Sequence, residues 1–261
     1  MSLLHADRVT VDYGATRANS EVDLTVGEGQ FVGLIGANGA GKTTFIDAVT
    51  GFTSASAGSV KFDDREIMSL GVDVRARLGM ARTFQSLELF EDLTVFDNML
   101  VASEEVSWWS LPRDILRRRP RPEVEEAVND ALALVGLEDL RDQLPVNLSH
   151  GQRKLVAVAR ALASSPKLLL LDEPAAGLDL HESAALGKVL RQLVDRGIAI
   201  LLVDHDMALV LSVCDQVFVL DFGAIVAQGT PQEIRRDKAV LSAYLGGSQG
   251  DDGADEEGES R

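Results

Sequence analysis

Cysteine is nearly absent from this chain of 261 residues: Cys214 is the single one. No intrachain disulfide can form, which suits a reducing compartment. Long apolar runs are missing as well. No stretch approaches the roughly 20 residues that span a bilayer, so work at a membrane is expected only through a peripheral association. Basic charge is scarce: Lys and Arg number 25 against 41 Asp and Glu, a formal net charge of −16. Such a surface excludes wrapping DNA or RNA, which takes a basic face, and no nucleic-acid partner is expected. The opening MSLLHADRVTVDYG lacks a basic segment followed by an apolar run, so no secretory signal is expected. No internal repeat is visible.

What is present is a globular balance, 46% hydrophobic and 25% charged. The length suits one core with an inserted lobe. Part of the negative charge is local. Ser248 to Arg261 carries Asp251, Asp252, Asp255, Glu256, Glu257 and Glu259, and no apolar side chain larger than Ala. Such a segment buries too little apolar surface to offset its ordering entropy, so 248–261 is expected to be a disordered acidic tail.

Phe31 to Ile35 is a short apolar run ending in glycine and reads as a buried strand. A glycine-rich turn follows, then a helix over Thr43 to Val49. Val22 to Val26 alternates weakly, as an edge strand does. Ser59 to Phe62 and Ala81 to Phe84 are further strand candidates. Leu168 to Leu171 and Ile198 to Val203 are apolar runs flanking a helical stretch, His181 to Asp195. Strand, helix, strand with apolar strands indicates parallel β structure buried on both faces. Val217 to Leu220 and Ile225 to Gln228, separated by Asp221-Phe222-Gly223, read as a late hairpin. Between Leu93 and Ala163 strand signals vanish and helical spacing takes over, as in Val124, Val128, Leu132 and Val135. The expected organisation is one domain over 1–247. Its core covers about 1–90 and 164–247, and an α-helical subdomain about 91–163.

Two motifs carry chemistry on their own. Gly36-Ala37-Asn38-Gly39-Ala40-Gly41-Lys42-Thr43 fits the P-loop pattern, between an apolar strand and a helix. Glycines there let backbone N–H groups turn inward around phosphate oxygens, and the helix start adds positive potential. Lys42 is placed for the β- and γ-phosphates, and the Thr43 hydroxyl for Mg²⁺. The second motif is Leu168 to Leu171 followed by Asp172-Glu173. The strand delivers two carboxylates, Asp172 for Mg²⁺ and Glu173 to activate an attacking water. Standing alone, such a pair also fits a solvated helix start; the P-loop gives it weight.

The segment Asn147-Leu148-Ser149-His150-Gly151-Gln152-Arg153 separates this chain from other P-loop enzymes. It resembles the LSGGQ signature of the ABC transporter ATPases. Ser149, Gly151 and Gln152 match, and His150 replaces the first glycine. The resemblance runs over roughly residues 3 to 246. It implies an α/β P-loop NTPase core with a mainly parallel sheet, an antiparallel β subdomain and an inserted α-helical subdomain. It implies ATP and Mg²⁺ as ligands. Gly36, Asn38, Gly39, Gly41, Lys42, Thr43 and Thr44 would cradle the nucleotide, with Tyr13 on the adenine; the other reading of Tyr13 is a surface strand aromatic. Gln85 would contact Mg²⁺ and water and sense the permease. Ser149, Gly151 and Gln152 would bind the γ-phosphate held by a second ATPase subunit, identical or paralogous. Asp179, in Gly177-Leu178-Asp179, would cross the dimer interface, and His205 would contact the γ-phosphate. The catalytic set is then Glu173, His205 and Gln85, and the metal set Thr43, Gln85 and Asp172. Permease subunits, and through them a solute-binding protein, are the implied partners, at the cytoplasmic face of the cell membrane.

No permease is fused to the chain, which leans toward an importer. Within the family the chain looks like ATPases of branched-chain amino acid importers. That likeness rests on Ala81-Arg82-Thr83-Phe84-Gln85, Pro174-Ala175-Ala176-Gly177-Leu178, His205-Asp206-Met207 and Gly229-Thr230-Pro231 through Ala243-Tyr244-Leu245-Gly246. Urea importers share nearly all of these marks, including LSHGQ. Lipopolysaccharide-export ATPases and non-transport ABC ATPases are further rivals. Three features stay outside this reading. Trp108-Trp109 reads as core packing of the helical lobe rather than a permease contact. Arg117 to Arg121 reads as a solvated charge run rather than a lipid contact. Cys214 reads as a small buried hydrophobe.

Overall fold

The computed structural model describes residues 2–83, 89–103, 121–237 and 240. The chain opens with two long strands, β1 (Ser2–Tyr13) and β2 (Thr16–Gly27), which pair antiparallel through a tight turn after Tyr13. β3 (Phe31–Ile35) leads into α1 (Lys42–Thr50). β4 (Ala57–Phe62), β5 (Arg65–Glu66), α2 (Val72–Arg77) and β6 (Met80–Thr83) follow. Then come α3 (Val95–Ser103), α4 (Pro122–Val135) and α5 (His150–Leu162). The remainder is β7 (Leu168–Asp172), α6 (Leu180–Asp195), β8 (Ala199–Val203), α7 (Met207–Val213), β9 (Gln216–Asp221), β10 (Ala224–Gly229) and α8 (Pro231–Ile234).

Two sheets result. The smaller is antiparallel, in the order β2-β1-β4-β5; the larger runs β10-β9-β3-β8-β7-β6. In the larger sheet β6, β7, β8, β3 and β9 are mutually parallel, and β10 closes one edge antiparallel to β9. Every residue of β3, β7 and β8 is buried, which is why their sequences are unbroken apolar runs rather than alternating ones. Alternate side chains of these strands enter two separate cores. Val32, Leu34, Leu168, Leu170 and Leu201 join Phe45 of α1 and the antiparallel sheet. Phe31, Ile35, Leu169, Leu171, Ile200 and Leu202 join the helices on the other face. Each such side chain contributes roughly 1.5–3 kcal/mol by leaving water. The result is a layered α/β architecture in which β8 lies between β3 and β7, and the site forms along the ends of these three strands.

Most sequence expectations fall on these elements. The segment from 91 to 163 holds helices and no strand among the described residues. α4 buries Val128, Leu132 and Val135 of the spacing read from the sequence, adds Ala131, and leaves Val124 half-buried. β1 was not foreseen: register shifts against β2 break its alternation, so its buried residues do not fall on one simple period. The late hairpin forms, but β9 also pairs parallel with β3, which makes it part of the main sheet. Cys214 is buried as expected, and burial pushes its thiol well above the ordinary range. Phe84, Trp108, Trp109, Arg117 to Arg119 and the acidic tail 248–261 lie outside the described residues; Arg121 immediately precedes α4.

Candidate active site

The loop from Gly36 to Gly41 wraps the start of α1. Gly41 precedes the helix at φ +103, where a Cβ would sit 2.4 Å from the Ala18 carbonyl oxygen. At Gly36 a Cβ would lie 2.2 Å from the Leu220 carbonyl oxygen. Only glycine allows this close approach of three chain segments. The Lys42 side chain is buried, and its Nζ donates to the carbonyls of Gly36 (2.8 Å) and Ala37 (3.0 Å). Burial pulls the ammonium below its usual range, and the carboxylates of Glu173, Asp172 and Asp204 oppose that shift. An ammonium placed in this loop is suited to phosphate oxygens.

β7 ends beside this loop. Thr43 Oγ1 donates to Asp172 Oδ1 at 3.4 Å, and Asp172 Oδ2 accepts from Arg82 Nη2 at 3.1 Å. Burial raises the Asp172 carboxyl above its usual range, and the Arg82 charge acts against it. Glu173 follows at φ +47, a left-handed conformation uncommon for a side chain larger than glycine's. Its N–H is fixed on the Val203 carbonyl at 2.7 Å. Strain of this kind persists where packing over-determines the backbone, and it aims the Glu173 carboxylate out of the strand line. His205, after β8, brings Nδ1 to 3.7 Å from Glu173 Oε2 and 3.6 Å from Asp204 Oδ1. These separations are too long for hydrogen bonds, so the ring lies beside both carboxylates without a hydrogen bond to either. Asp204 is fully buried and accepts from the N–H groups of Asp206 and Ala175; burial pushes its carboxyl up.

The segment around Ser149 behaves as a helix start. Ser149 Oγ accepts from Gln152 N at 3.2 Å, and Gln152 Oε1 accepts from Ser149 N at 2.8 Å, a reciprocal capping box on α5. His150 Nε2 lies 3.4 Å from the Ala176 carbonyl, so the residue that departs from the signature contacts the Pro174–Asp179 turn. Asp179 caps α6, accepting from His181 N and Glu182 N, each at 2.8 Å. Tyr13 is half exposed at the end of β1, its hydroxyl 3.1 Å from Thr53 Oγ1.

The structure therefore brings together Lys42, Thr43, Asp172, Glu173 and His205. Ser149, Gly151 and Gln152 form a second group at the start of α5, and His150 reaches the Ala176 carbonyl in the turn that leads to Asp179. Gln85 lies outside the described residues. Sequence reasoning gave no role to Arg82, Asp47 or Asp204. Arg82 figured only as a family mark, although an arginine inside a short strand of the main sheet was a usable signal.

Donor chemistry at the Thr43–Asp172 pair fits a divalent cation of the Mg²⁺ type. Both atoms are hard oxygens, Thr43 is exposed, and the four carboxylates Asp47, Asp172, Glu173 and Asp204 outnumber the three cations Lys42, Arg82 and Lys154. Among the described residues no three His, Cys, Asp or Glu are grouped to hold a metal unaided. Mg²⁺ at phosphoryl-transfer sites takes one or two protein oxygens and completes its shell with phosphate and water.

Residues 19–176 match the family described as "ABC transporter", and residues 224–249 match "Branched-chain amino acid ATP-binding cassette transporter". The lipopolysaccharide export system ATP-binding protein LptB of Escherichia coli K12 is 37% identical over 246 residues, covering 94% of this chain and 98% of that protein. The high-affinity branched-chain amino acid transport ATP-binding protein LivG of Salmonella typhimurium is 35% identical over 249 residues, with the same coverage. The ADP conformation of MJ1267, an ATP-binding cassette of an ABC transporter, superposes with a TM-score of 0.84 at 29% identity, covering 94% of this chain and 99% of that one. The P-loop, the carboxylate pair and the capped signature helix thus sit on the scaffold their order in the sequence anticipated, and the chain belongs to the ABC transporter ATPases, enzymes that bind and hydrolyse ATP.

Proposed function

We propose that this chain is the motor subunit of an importer for branched-chain amino acids. The observation that carries this reading is the match of residues 224–249 to the branched-chain amino acid cassette family, a segment outside the shared nucleotide machinery. The likeness to LivG points the same way. A second reading is export, favoured by the comparable identity to LptB. Urea import is a third, favoured by His150 in the signature.

The proposed chemistry assigns each residue a task. Backbone N–H groups from Gly36 to Gly41, with Asn38, Gly39 and Thr44, hold the phosphates, and Lys42 neutralises their charge. Tyr13 stacks on adenine. Thr43, Asp172 and Gln85 would hold Mg²⁺, which would supply charge neutralisation for phosphoryl transfer. Glu173 takes a proton from the attacking water. His205 contacts the γ-phosphate, its Nδ1 lying 3.7 Å from Glu173 Oε2. Ser149, Gly151 and Gln152 lie at the N-terminus of a thirteen-residue helix, an anion-binding end, and serve the nucleotide of a second ATPase subunit. Asp179 lies at that same boundary between subunits. Closure of two such chains moves the helices between about 91 and 163, and permease subunits follow. The subunit works at the cytoplasmic face of the membrane through those permease subunits; no helix among its described residues is long and apolar enough to cross a membrane.

Transport assays in a strain lacking this gene test the solute. Labelled leucine uptake should be lost and should return with the wild-type gene but not with Lys42→Ala. Retained leucine uptake with lost urea uptake would transfer the assignment to urea. Retention of both, with lipopolysaccharide missing from the outer surface, would transfer it to export.

A further inference from the structure

Arg82, the penultimate residue of β6, has its side chain only 8% exposed, and no step above uses it. Its guanidinium is held from several directions. Nη1 donates to Asp47 Oδ1 and lies 3.4 Å from Thr50 Oγ1, both on α1. The Phe52 ring stands 5.5 Å from its Cζ, within cation–π range. From that fixed position Nη2 reaches Asp172 Oδ2 at 3.1 Å. The two oxygens of Asp172 are thereby divided: Oδ2 faces Arg82 and Oδ1 faces the Thr43 hydroxyl. Lys42 does not serve in its place, because its amine is turned to the carbonyls of Gly36 and Ala37.

We propose that Arg82 is a positioning residue for ATP hydrolysis, its guanidinium holding Asp172 Oδ2 so that Oδ1 is presented to the divalent cation beside Thr43. This rests on the reading of Asp172 as the metal-facing carboxylate. Asp172 ends its strand 3% exposed, and a carboxylate there turns about its last torsion unless something grips one oxygen. Groups in this outer position set the orientation of a metal-binding oxygen without touching the metal. The demand is for arginine specifically. A planar fork spans Asp47 and Asp172 at once, whereas a lysine ammonium is a point charge on a flexible stem.

Binding measured on the full chain carrying Glu173→Gln, where turnover is suppressed, tests this without relying on activity. A fluorescent ATP analogue is titrated with Mg²⁺ and again with EDTA, and the ratio of affinities reads the contribution of the metal. Arg82→Gln should weaken binding in Mg²⁺ by about 10–100-fold, the usual effect of removing such a partner. Binding in EDTA should stay at the parent level, since the P-loop is intact. Arg82→Lys should recover part of the loss. Asp47→Asn, which keeps the acceptor but removes the charge of the other anchor, should lower the melting temperature more than it alters the ratio. Equal losses with and without Mg²⁺, or a ratio lost equally in Asp47→Asn, would reduce Arg82 to a staple between β6 and α1 and overturn the proposal. Should Arg82→Gln fail to fold, Arg82→Lys decides: a lowered ratio supports positioning and an unchanged one overturns it. Asp172→Asn separates the two layers of the argument. If it keeps the full Mg²⁺ effect, the metal-facing reading falls. If it loses the effect while Arg82→Gln keeps it, only the role of Arg82 falls.

Discussion

Thr43 Oγ1 and Asp172 Oδ1 lie 3.4 Å apart across 129 residues of sequence. One is the first hydroxyl of the P-loop helix, and the other closes an apolar strand. Groups in contact do not contribute independently. Thr43→Val and Asp172→Asn should each weaken ATP binding in Mg²⁺, and the double variant should lose less than the sum. The expected coupling is about 0.5–3 kcal/mol. Titration calorimetry on the Glu173→Gln background measures it, and additive losses would show that the two oxygens do not share one cation.

Glu173 is the carboxylate whose backbone is strained and whose neighbour is His205. Replacing it with Gln keeps size and hydrogen bonding but removes basicity. Turnover should fall by ~10²-fold or more while ATP affinity is retained. Steady-state rates beside equilibrium binding give both quantities, and near-normal turnover would falsify the assignment of the base.

Asp179 is predicted to serve two roles that substitution can separate. As the cap of α6 it accepts two backbone N–H groups. Asp179→Asn keeps that capping and should melt close to the parent. Asp179→Ala should lose about 1 kcal/mol. A fall in ATPase rate in Asp179→Asn without loss of stability would mark the separate role at the subunit boundary. Denaturant melts and rate assays on both variants read the difference.

Cys214 supplies a pH prediction. Burial raises its thiol pKa in the fold, so the folded chain keeps this proton while the unfolded chain releases it near pH 8.5. Above that pH the folded state binds more protons than the unfolded one, and the Cys214 contribution falls as pH rises. Cys214→Ala should flatten the alkaline decline seen in melts between pH 8 and 10. The native thiol should resist iodoacetamide at pH 8 and react once guanidinium unfolds the chain; rapid native labelling would contradict its burial.

How much of this was legible beforehand depends on the distance over which each feature is specified. The P-loop was readable because a strand, a glycine turn and a helix start are adjacent in sequence. The carboxylate pair was readable because β7 is buried on both faces and so is a run of leucines that ends where the polar residues begin. The Ser149–Gln152 cap was readable because its hydrogen bonds span three residues. These features the sequence determined by itself, since backbone preference and hydrophobic period act locally.

Tertiary structure alone decided which separated pieces meet. The sheet order β10-β9-β3-β8-β7-β6 is not the order of the chain, and it is this order that sets Thr43 beside Asp172 and Glu173 beside His205. Arg82 gains its two carboxylates from 35 and 90 residues away, and His150 gains the Ala176 carbonyl from 26. No local period encodes such pairs. They follow from burying both faces of one sheet at once, which fixes the neighbours of each strand and with them the side chains at the strand ends.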